Sequence, residues 1–335
     1  MRTFRCRCGN RIYFGNSRCL RCGATLGFLP DRLQLAALEP LDDGAWLAGG
    51  RQYRQCLHYH RDRVCNWMVP ADDADPFCAA CRLNEIIPDL SNPQFRLYWY
   101  KLEAAKRYLL YGLGRLGLSL HDLGGDGLRF AFLADYGEDQ RVLTGHRNGL
   151  ITINIREADD AYRETMRLRL REPYRTLLGH FRHESGHYFW ERLIAGQPPR
   201  LDAFRRCFGD EREDYQAALS RHYAAPASAG SDFISGYAAA HPWEDWAETW
   251  AHYLLIRDTA ETAGDYGLIE PFDLSDIDAL LGAWANLSLA INGLGESLGL
   301  VTPYPFVIGP RVEEKLRFVD AVVREAWPRP KEERR

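Results

Sequence analysis

Residues 183–187 read His-Glu-Ser-Gly-His. On a helix, positions i and i+4 lie one turn apart on the same face, so His183 and His187 can offer two imidazoles to one cation. Glu184 is then directed beside the metal. This is the H-E-x-x-H arrangement, in which two histidines hold zinc and the glutamate serves as general base in peptide hydrolysis. The competing reading is a chance histidine pair on a packed helix, and the rest of the chain has to decide between them.

A catalytic zinc needs a third protein ligand and one position open to water. A third histidine six residues past the second is excluded, because Leu193 stands there and Trp190 occupies the place of the glycine that pattern requires. The ligand must come from further downstream. Residues 235–250, SGYAAAHPWEDWAETW, hold two carboxylates, Glu244 and Glu248. Pro242 suits a helix start, with Trp243, Trp246, Ala247, Trp250 and Leu254 as its buried stripe and the two glutamates on an adjoining face. Spacing allows either glutamate to take the metal while the other fixes a ligating imidazole. The bland alternative is a solvated acidic face, and His241 and His252 are the next candidates for the ligand.

Eight of the nine cysteines lie in the first 81 residues. Cys6, Cys8, Cys19 and Cys22 form two short-spaced pairs that can converge on one tetrahedral ion, and Cys56, Cys65, Cys78 and Cys81 repeat the count. Four thiolates close a zinc site and leave no catalytic position, so both clusters read as structural. A segment of roughly 80 residues gains from metal the folding free energy that a small core lacks. His58 and His60 stand near Cys56 but are expected in solvent, and Cys207 is expected as an inert core thiol. Arg2, Arg5, Arg7, Arg11, Arg18 and Arg21 precede the first acid, Asp31. They suit a nucleic-acid contact, or, more blandly, a solvated face or a docking face for an acidic protein.

These groups need elements to position them. Residues 95–114 read as an amphipathic helix ending in glycine, with a proline-bearing linker at Ile86–Gln94 before it. Arg129–Asp135 reads as a buried strand. After the Asn148-Gly149 turn, Ile151, Ile153 and Ile155 alternate with Thr152 and Asn154 as a strand with one wet face. From Glu157 the signal is helical, broken around 196–199, 226–231 and 303–310. Composition is ordinary for a globular protein: 46% hydrophobic, 26% charged and a net charge of −4 over 335 residues, with no global pull towards nucleic acid or an acidic membrane. No uninterrupted apolar run is long enough to span a bilayer. The N-terminus has charges and cysteines where a secretory segment is apolar, so a cytoplasmic location is expected, where cysteines serve metal better than disulfides.

Taken together, the cysteine clusters, CNWMVP, FCAACRLNEIIPDL, GLITINIREAD, RHESGHYFW and SGYAAAHPWEDWAETWAHYL resemble a bacterial family of zinc-binding metallopeptidases with an N-terminal zinc-ribbon domain. The resemblance spans nearly the whole chain. More distantly, the last two segments resemble gluzincins of the lethal-factor type, in which a glutamate seven residues after an active-site tyrosine completes the zinc site and another acid follows four residues later. That resemblance implies Glu244 as third ligand, Tyr237 as transition-state stabiliser and Glu248 as the group that orients a ligating histidine. The expected fold is α+β: a double zinc-ribbon domain over residues 1–90, a mostly helical zincin-like peptidase domain over 96–328, and a charged tail at 329–335. Three zinc ions are expected, one catalytic and two structural, with a peptide or protein as substrate. A catalytically silent scaffold, or a nucleic-acid-associated factor working through its ribbons, is the alternative.

Overall fold

The structure, a computed structural model, describes residues 2–328 apart from 43, 121–122, 124–126, 136–141, 171 and 225–229, so the expected tail at 329–335 lies outside the described residues. The chain divides into two compact units, Met1–Gly145 with Gly149–Asp160 and His146–Asn148 with Ala161–Arg335. It combines sheet and helix, with a cysteine-rich, ribbon-like N-terminal region.

The first unit starts with short antiparallel pairs, β1 (Phe4–Arg5) with β2 (Arg11–Ile12) and β3 (Leu26–Leu29) with β4 (Gln34–Ala37). Tight turns bring the first cysteines together. The Gly9 amide donates to the Cys6 carbonyl and the Gly23 amide to the Cys19 carbonyl, with both glycines at positive φ. Side chains with a Cβ resist that conformation, so a glycine follows each cysteine pair. A second antiparallel sheet orders β5 (Glu39–Pro40), β6 (Trp46–Ala48), β7 (Arg51–Gln55) and β8 (Met68–Pro70), and α1 (Leu57–His60) is a single turn after Cys56.

The last sheet runs β11 (Gly145–Arg147), β12 (Leu150–Asn154), β10 (Arg129–Leu133), β9 (Asn84–Ile86), and β10 pairs in parallel with both β12 and β9. The segment expected as linker therefore begins as a strand. Nor does β12 have a wet face throughout: Asn154 is buried, its amide donating to Asp135 Oδ1 at 2.7 Å and to the Val142 carbonyl at 3.1 Å.

Helix α2 (Pro93–Arg115) starts at Asn92, whose side chain accepts from the Gln94 amide, with proline at the first helical position. By its contacts it falls in the first compact unit. The reason is packing. Its Tyr111 joins an aromatic core with Phe14, Phe28 and Trp67, with ring centroids 5.1 Å from Phe14 and 5.9 Å from Phe28. About two turns earlier, fully buried Glu103 accepts from Trp99 Nε1 at 3.2 Å, Asn84 Nδ2 at 2.8 Å and Lys106 Nζ at 2.8 Å. Such a network tolerates burial because nearly every charge in it is matched.

The second unit is helical. Along it follow α3 (Asp160–Arg169, its first residue in the other unit), α4 (Leu177–Trp190), a π-helical turn at Glu191–Ala195, α5 (Pro198–Phe208), α6 (Tyr215–Ala224), α7 (Pro242–Asp265), α8 (Ile277–Ser297) and α9 (Pro310–Ala326). Helices α4 and α7 lie against each other, with α8 and α9 also on α7. Their approach is close: a Cβ at Gly186 would stand 2.9 Å from Ala247 Cα. Trp246 Nε1 donates across the seam to the Gly186 carbonyl at 2.9 Å, and Trp250 Nε1 to Ser185 Oγ at 3.1 Å. By length and composition alone α8 is apolar enough to cross a membrane, although Asp278, Asn286, Ser288 and Asn292 interrupt its apolar run. Ile277, Leu280, Leu281, Trp284 and Leu287 are buried, whereas Leu289 and Leu294 are exposed.

Candidate metal centre

Helix α4 begins at Thr176, whose hydroxyl accepts from the Gly179 amide at 3.0 Å. His183 and His187 project one turn apart, with their Nε2 atoms 3.2 Å from each other. Helix α7 supplies the third group from its first turn. Its N-cap is His241, whose Nδ1 accepts from the Trp243 amide, and Pro242 follows at the first helical position. Glu244 Oε2 lies 3.0 Å from His183 Nε2 and 3.5 Å from His187 Nε2. The positive end of the α7 dipole also favours an anion there.

The three donor atoms fit a zinc ion. Tetrahedral ligands at roughly 2.0–2.2 Å from zinc stand about 3.3–3.5 Å apart, close to the observed separations. Among the described residues, Glu244 Oε2 receives no hydrogen bond although Glu244 is 1% exposed. A buried carboxylate oxygen facing two imidazole nitrogens is a cation's position. Burial pushes the Glu244 carboxyl pKa up, but the His187 and His183 imidazoles hold it well below the usual carboxylate range.

Glu248, one turn further along α7, does not join the cluster. Its Oε1 lies 2.8 Å from His183 Nδ1, and its Oε2 accepts from Ser235 Oγ at 2.6 Å. Tyr237 sits beside the site, its ring 5.8 Å from that of His183, and burial, then the Glu244 charge, raises its pKa well above the ordinary phenol range. Glu184 is buried next to the histidines, and desolvation raises its carboxyl pKa against their pull. Neither fallback histidine faces the cluster. His241 Nε2 lies 3.1 Å from the Glu213 carbonyl, and His252 Nδ1 lies 2.9 Å from the Tyr304 hydroxyl.

Several residues around the cluster carried no site role in the sequence, among them Trp243, expected only in the buried stripe of its helix and in fact half-buried. Tyr215, at the start of α6, donates its hydroxyl to Glu244 Oε1 at 2.6 Å. Trp243 lays its ring 4.1 Å from that of His187, and the buried His146 ring stacks 6.4 Å from it. Ser235 stands inside the singled-out segment but carried no role. Their signals are faint because each acts through a partner far away in the chain.

In the first unit both cysteine sets converge. Cys6 and Cys22 sulfurs lie 3.6 Å apart, Cys8 and Cys19 3.7 Å, and Cys65 and Cys78 3.7 Å. Zinc thiolates at about 2.3 Å give tetrahedral edges of roughly 3.7 Å, so both sets suit zinc. All four donors of each set lie within 4.8 Å of one another. Cys22 is exposed and Cys8 half-buried, whereas Cys56, Cys65, Cys78 and Cys81 are all buried. His58 is not in solvent as expected: it is buried, with Nδ1 2.8 Å from Asp62 Oδ2 and its ring against Phe77 and Trp99. Burial raises the Cys207 thiol pKa to about 11, consistent with a packed and unreactive residue.

Two histidines one turn apart and a carboxylate from a second helix form the donor set of a zinc hydrolase. Residues 96–322 match the model of a family described as "Putative zinc-binding metallo-peptidase", and residues 3–92 match that of a zinc-ribbon domain. The chain belongs to this zinc-binding metallopeptidase family. It is 41% identical to uncharacterised proteins of Mycobacterium tuberculosis (strains H37Rv and CDC 1551) and Mycobacterium bovis, over 98% of this chain and 97% of theirs. No solved structure matches it significantly. The two family models meet at 92–96, whereas the compact units divide near residue 160, so α2 is matched with the peptidase and packed with the ribbons.

Proposed function

We propose that the chain is a gluzincin-type peptidase that hydrolyses a peptide or other amide bond, with one catalytic zinc on His183, His187 and Glu244 and one structural zinc in each cysteine set. The observation that carries this reading is the close triangle of His183 Nε2, His187 Nε2 and Glu244 Oε2, with the buried Glu184 carboxyl beside it. A zinc ion held there supplies Lewis acidity, lowering the pKa of water and polarising the scissile carbonyl.

The remaining work falls to side chains. Glu248 accepts the Nδ1 proton of His183 and so leaves Nε2 with its lone pair free for a cation. Ser235 holds the other Glu248 oxygen, which fixes the carboxylate's orientation. Glu184, with a pKa raised by burial, takes a proton from the attacking water and hands it to the departing amine. Tyr237 stays protonated, so its hydroxyl can donate to the carbonyl oxygen as negative charge develops there.

The eight cysteines gathered in two sets support a reducing, cytoplasmic setting. The arginines at positions 2, 5, 7, 11, 18 and 21 are exposed, which supports the ribbons as a docking face for an acidic protein partner. Binding that weakened steeply with salt on generic RNA or DNA would replace that partner by nucleic acid.

The test is Glu184→Gln. Zinc content should be unchanged while hydrolysis of a peptide library falls by about 10²–10⁴. Wild-type turnover in the variant, or a wild-type protein that cleaves nothing while fully loaded with zinc, would favour the silent scaffold.

A further inference from the structure

The two oxygens of Glu244 are treated differently by their surroundings. Oε2 faces both imidazole nitrogens and receives no hydrogen bond among the described residues. Oε1 is held by the Tyr215 hydroxyl at 2.6 Å. A carboxylate can ligate through one oxygen or both, and each oxygen committed to a hydrogen-bond donor is less available to a cation. A hydrolytic zinc site depends on an unfilled position, and a carboxylate that chelates through both oxygens would fill it.

We propose that Tyr215 is a positioning residue that restricts Glu244 to ligation through Oε2, and thereby keeps a coordination position free for water or substrate. The inference rests on the assignment of Glu244 as third ligand. It adds a role that the H-E-x-x-H helix and the α7 glutamates do not contain.

The setting of Tyr215 supports a fixed hydroxyl. Its ring packs edge-on against His241 at 5.2 Å and Trp243 at 5.8 Å. His241 caps α7 through Nδ1 and meets the Glu213 carbonyl through Nε2, so one imidazole ties the residues before α6 to the start of α7. Glu213 and Tyr215 are two residues apart, and Glu244 lies in the first turn that His241 caps. The phenol and the carboxylate are therefore located by the same joint. Tyr237, by contrast, lies with its ring 5.8 Å from that of His183. Tyr215 thus aims the ligand, a role separate from the one proposed above for Tyr237.

Tyr215→Phe keeps the ring and removes only the hydroxyl. The catalytic position of the full-length protein is emptied with a mild chelator while the cysteine sets keep their zinc, and Co2+ is then titrated in. Cobalt reports coordination number through its visible ligand-field bands, which are strong at four-coordinate sites and weaken as ligands are added. The wild type should show the strong bands. Tyr215→Phe should bind one equivalent of Co2+ with visibly weaker, shifted bands. In its zinc form kcat should fall about 10–100-fold with little change in KM, the usual cost of a lost partner to a metal ligand. Unchanged ribbon zinc and an unchanged unfolding midpoint establish that the variant is folded.

Identical cobalt bands in the two proteins would overturn the proposal while leaving the peptidase reading intact. So would loss of cobalt binding in the variant alone, because the hydroxyl would then be needed to hold the ligand rather than to restrict it. Failure of the wild type to bind cobalt at this position would overturn the site assignment and this inference with it.

Discussion

The buried cysteine set of the first unit and the histidine–carboxylate set of the second surround their donor atoms in different ways. Around Cys56, Cys65, Cys78 and Cys81 the sulfurs meet the Trp67 amide, which donates to Cys65 Sγ at 3.3 Å, and the Glu103 carboxylate, 4.0 Å from Cys81 Sγ, with one further charge nearby. Burial works against the Arg107 guanidinium, yet the Cys65 thiolate and Glu103 hold its pKa up, and its NH1 donates to the Val64 carbonyl at 2.6 Å. Around His183, His187 and Glu244 most donor groups have a dedicated partner: Glu248 for His183, Tyr215 for Glu244, the Trp243 ring against His187. Four sulfurs define a closed site by number alone. Three mixed donors leave a gap, and the gap keeps its shape only if each ligand is aimed from behind.

The comparison breaks most sharply at the ligands. Cys65→Ser should cost the first unit its cooperative fold, because apparent binding free energies of about 10–16 kcal/mol are folding free energy at such sites. Loss of zinc together with amide protection across residues 26–111 would be the expected result. Protection kept after zinc is lost would mean that the aromatic core around Trp67 and Tyr111 suffices. Glu244→Ala should instead empty the catalytic position while leaving the unfolding midpoint of the second unit nearly in place, since the close approach of Gly186 to Ala247 and the Trp246 and Trp250 indole hydrogen bonds still hold the α4–α7 seam.

A second, smaller effect separates the two glutamates of α7. Glu248→Ala should retain the ion with affinity or activity reduced about 10–100-fold. If elemental analysis showed Glu248→Ala empty and Glu244→Ala loaded, the roles would be reversed and the lethal-factor analogy would fail.

The smallest effect concerns the layer behind Glu248. Burial depresses the His252 pKa to about 4, against support from Glu248 and with opposition from Arg182 on α4, while its Nδ1 meets Tyr304. A histidine held neutral in the fold takes up a proton only on unfolding. Wild-type stability contributed by this residue is therefore present above the unfolded pKa of 6.5 and declines as pH falls towards 4. His252→Gln lacks that loss. Its stability deficit relative to wild type should shrink by on the order of 1–2 kcal/mol between pH 7 and pH 5, read by urea unfolding of the zinc-loaded protein. A deficit that stayed constant would mean that His252 takes up its proton as readily in the fold as in the unfolded chain.

How much of this was readable beforehand follows from where the information sits. His183, Glu184 and His187 were legible as candidates because five adjacent residues hold all three, and the two imidazoles do converge with Glu244. Glu244 was separable from Glu248 only through the spacing from Tyr237, as helical periodicity puts both on one face. Tyr215 was invisible, since it stands 29 positions from Glu244 and on a different helix. The cysteine sets were legible from count and spacing, and the aromatic contacts that bind α2 to the ribbons were not. A proline-bearing stretch after Cys81 looked like a boundary, and nothing in the pattern told that Tyr111, well past it, packs against Phe14 and Phe28. Asn154 looked wet by alternation and is buried, because its amide satisfies Asp135 and Val142.

The near-contact of Gly186 with Ala247 changes what the five-letter motif means in this protein. In the general pattern the two middle positions are blanks. Here the second is fixed by a backbone 2.9 Å from where a Cβ would be, and its carbonyl is claimed by the Trp246 indole. The first, Ser185, is claimed by the Trp250 indole. The blanks are thus filled from another helix, and the true signature is a two-line pattern: HESGH on one line, WAETW on the other, read across rather than along. A search for other sites of this build would do better with that paired pattern than with either line alone.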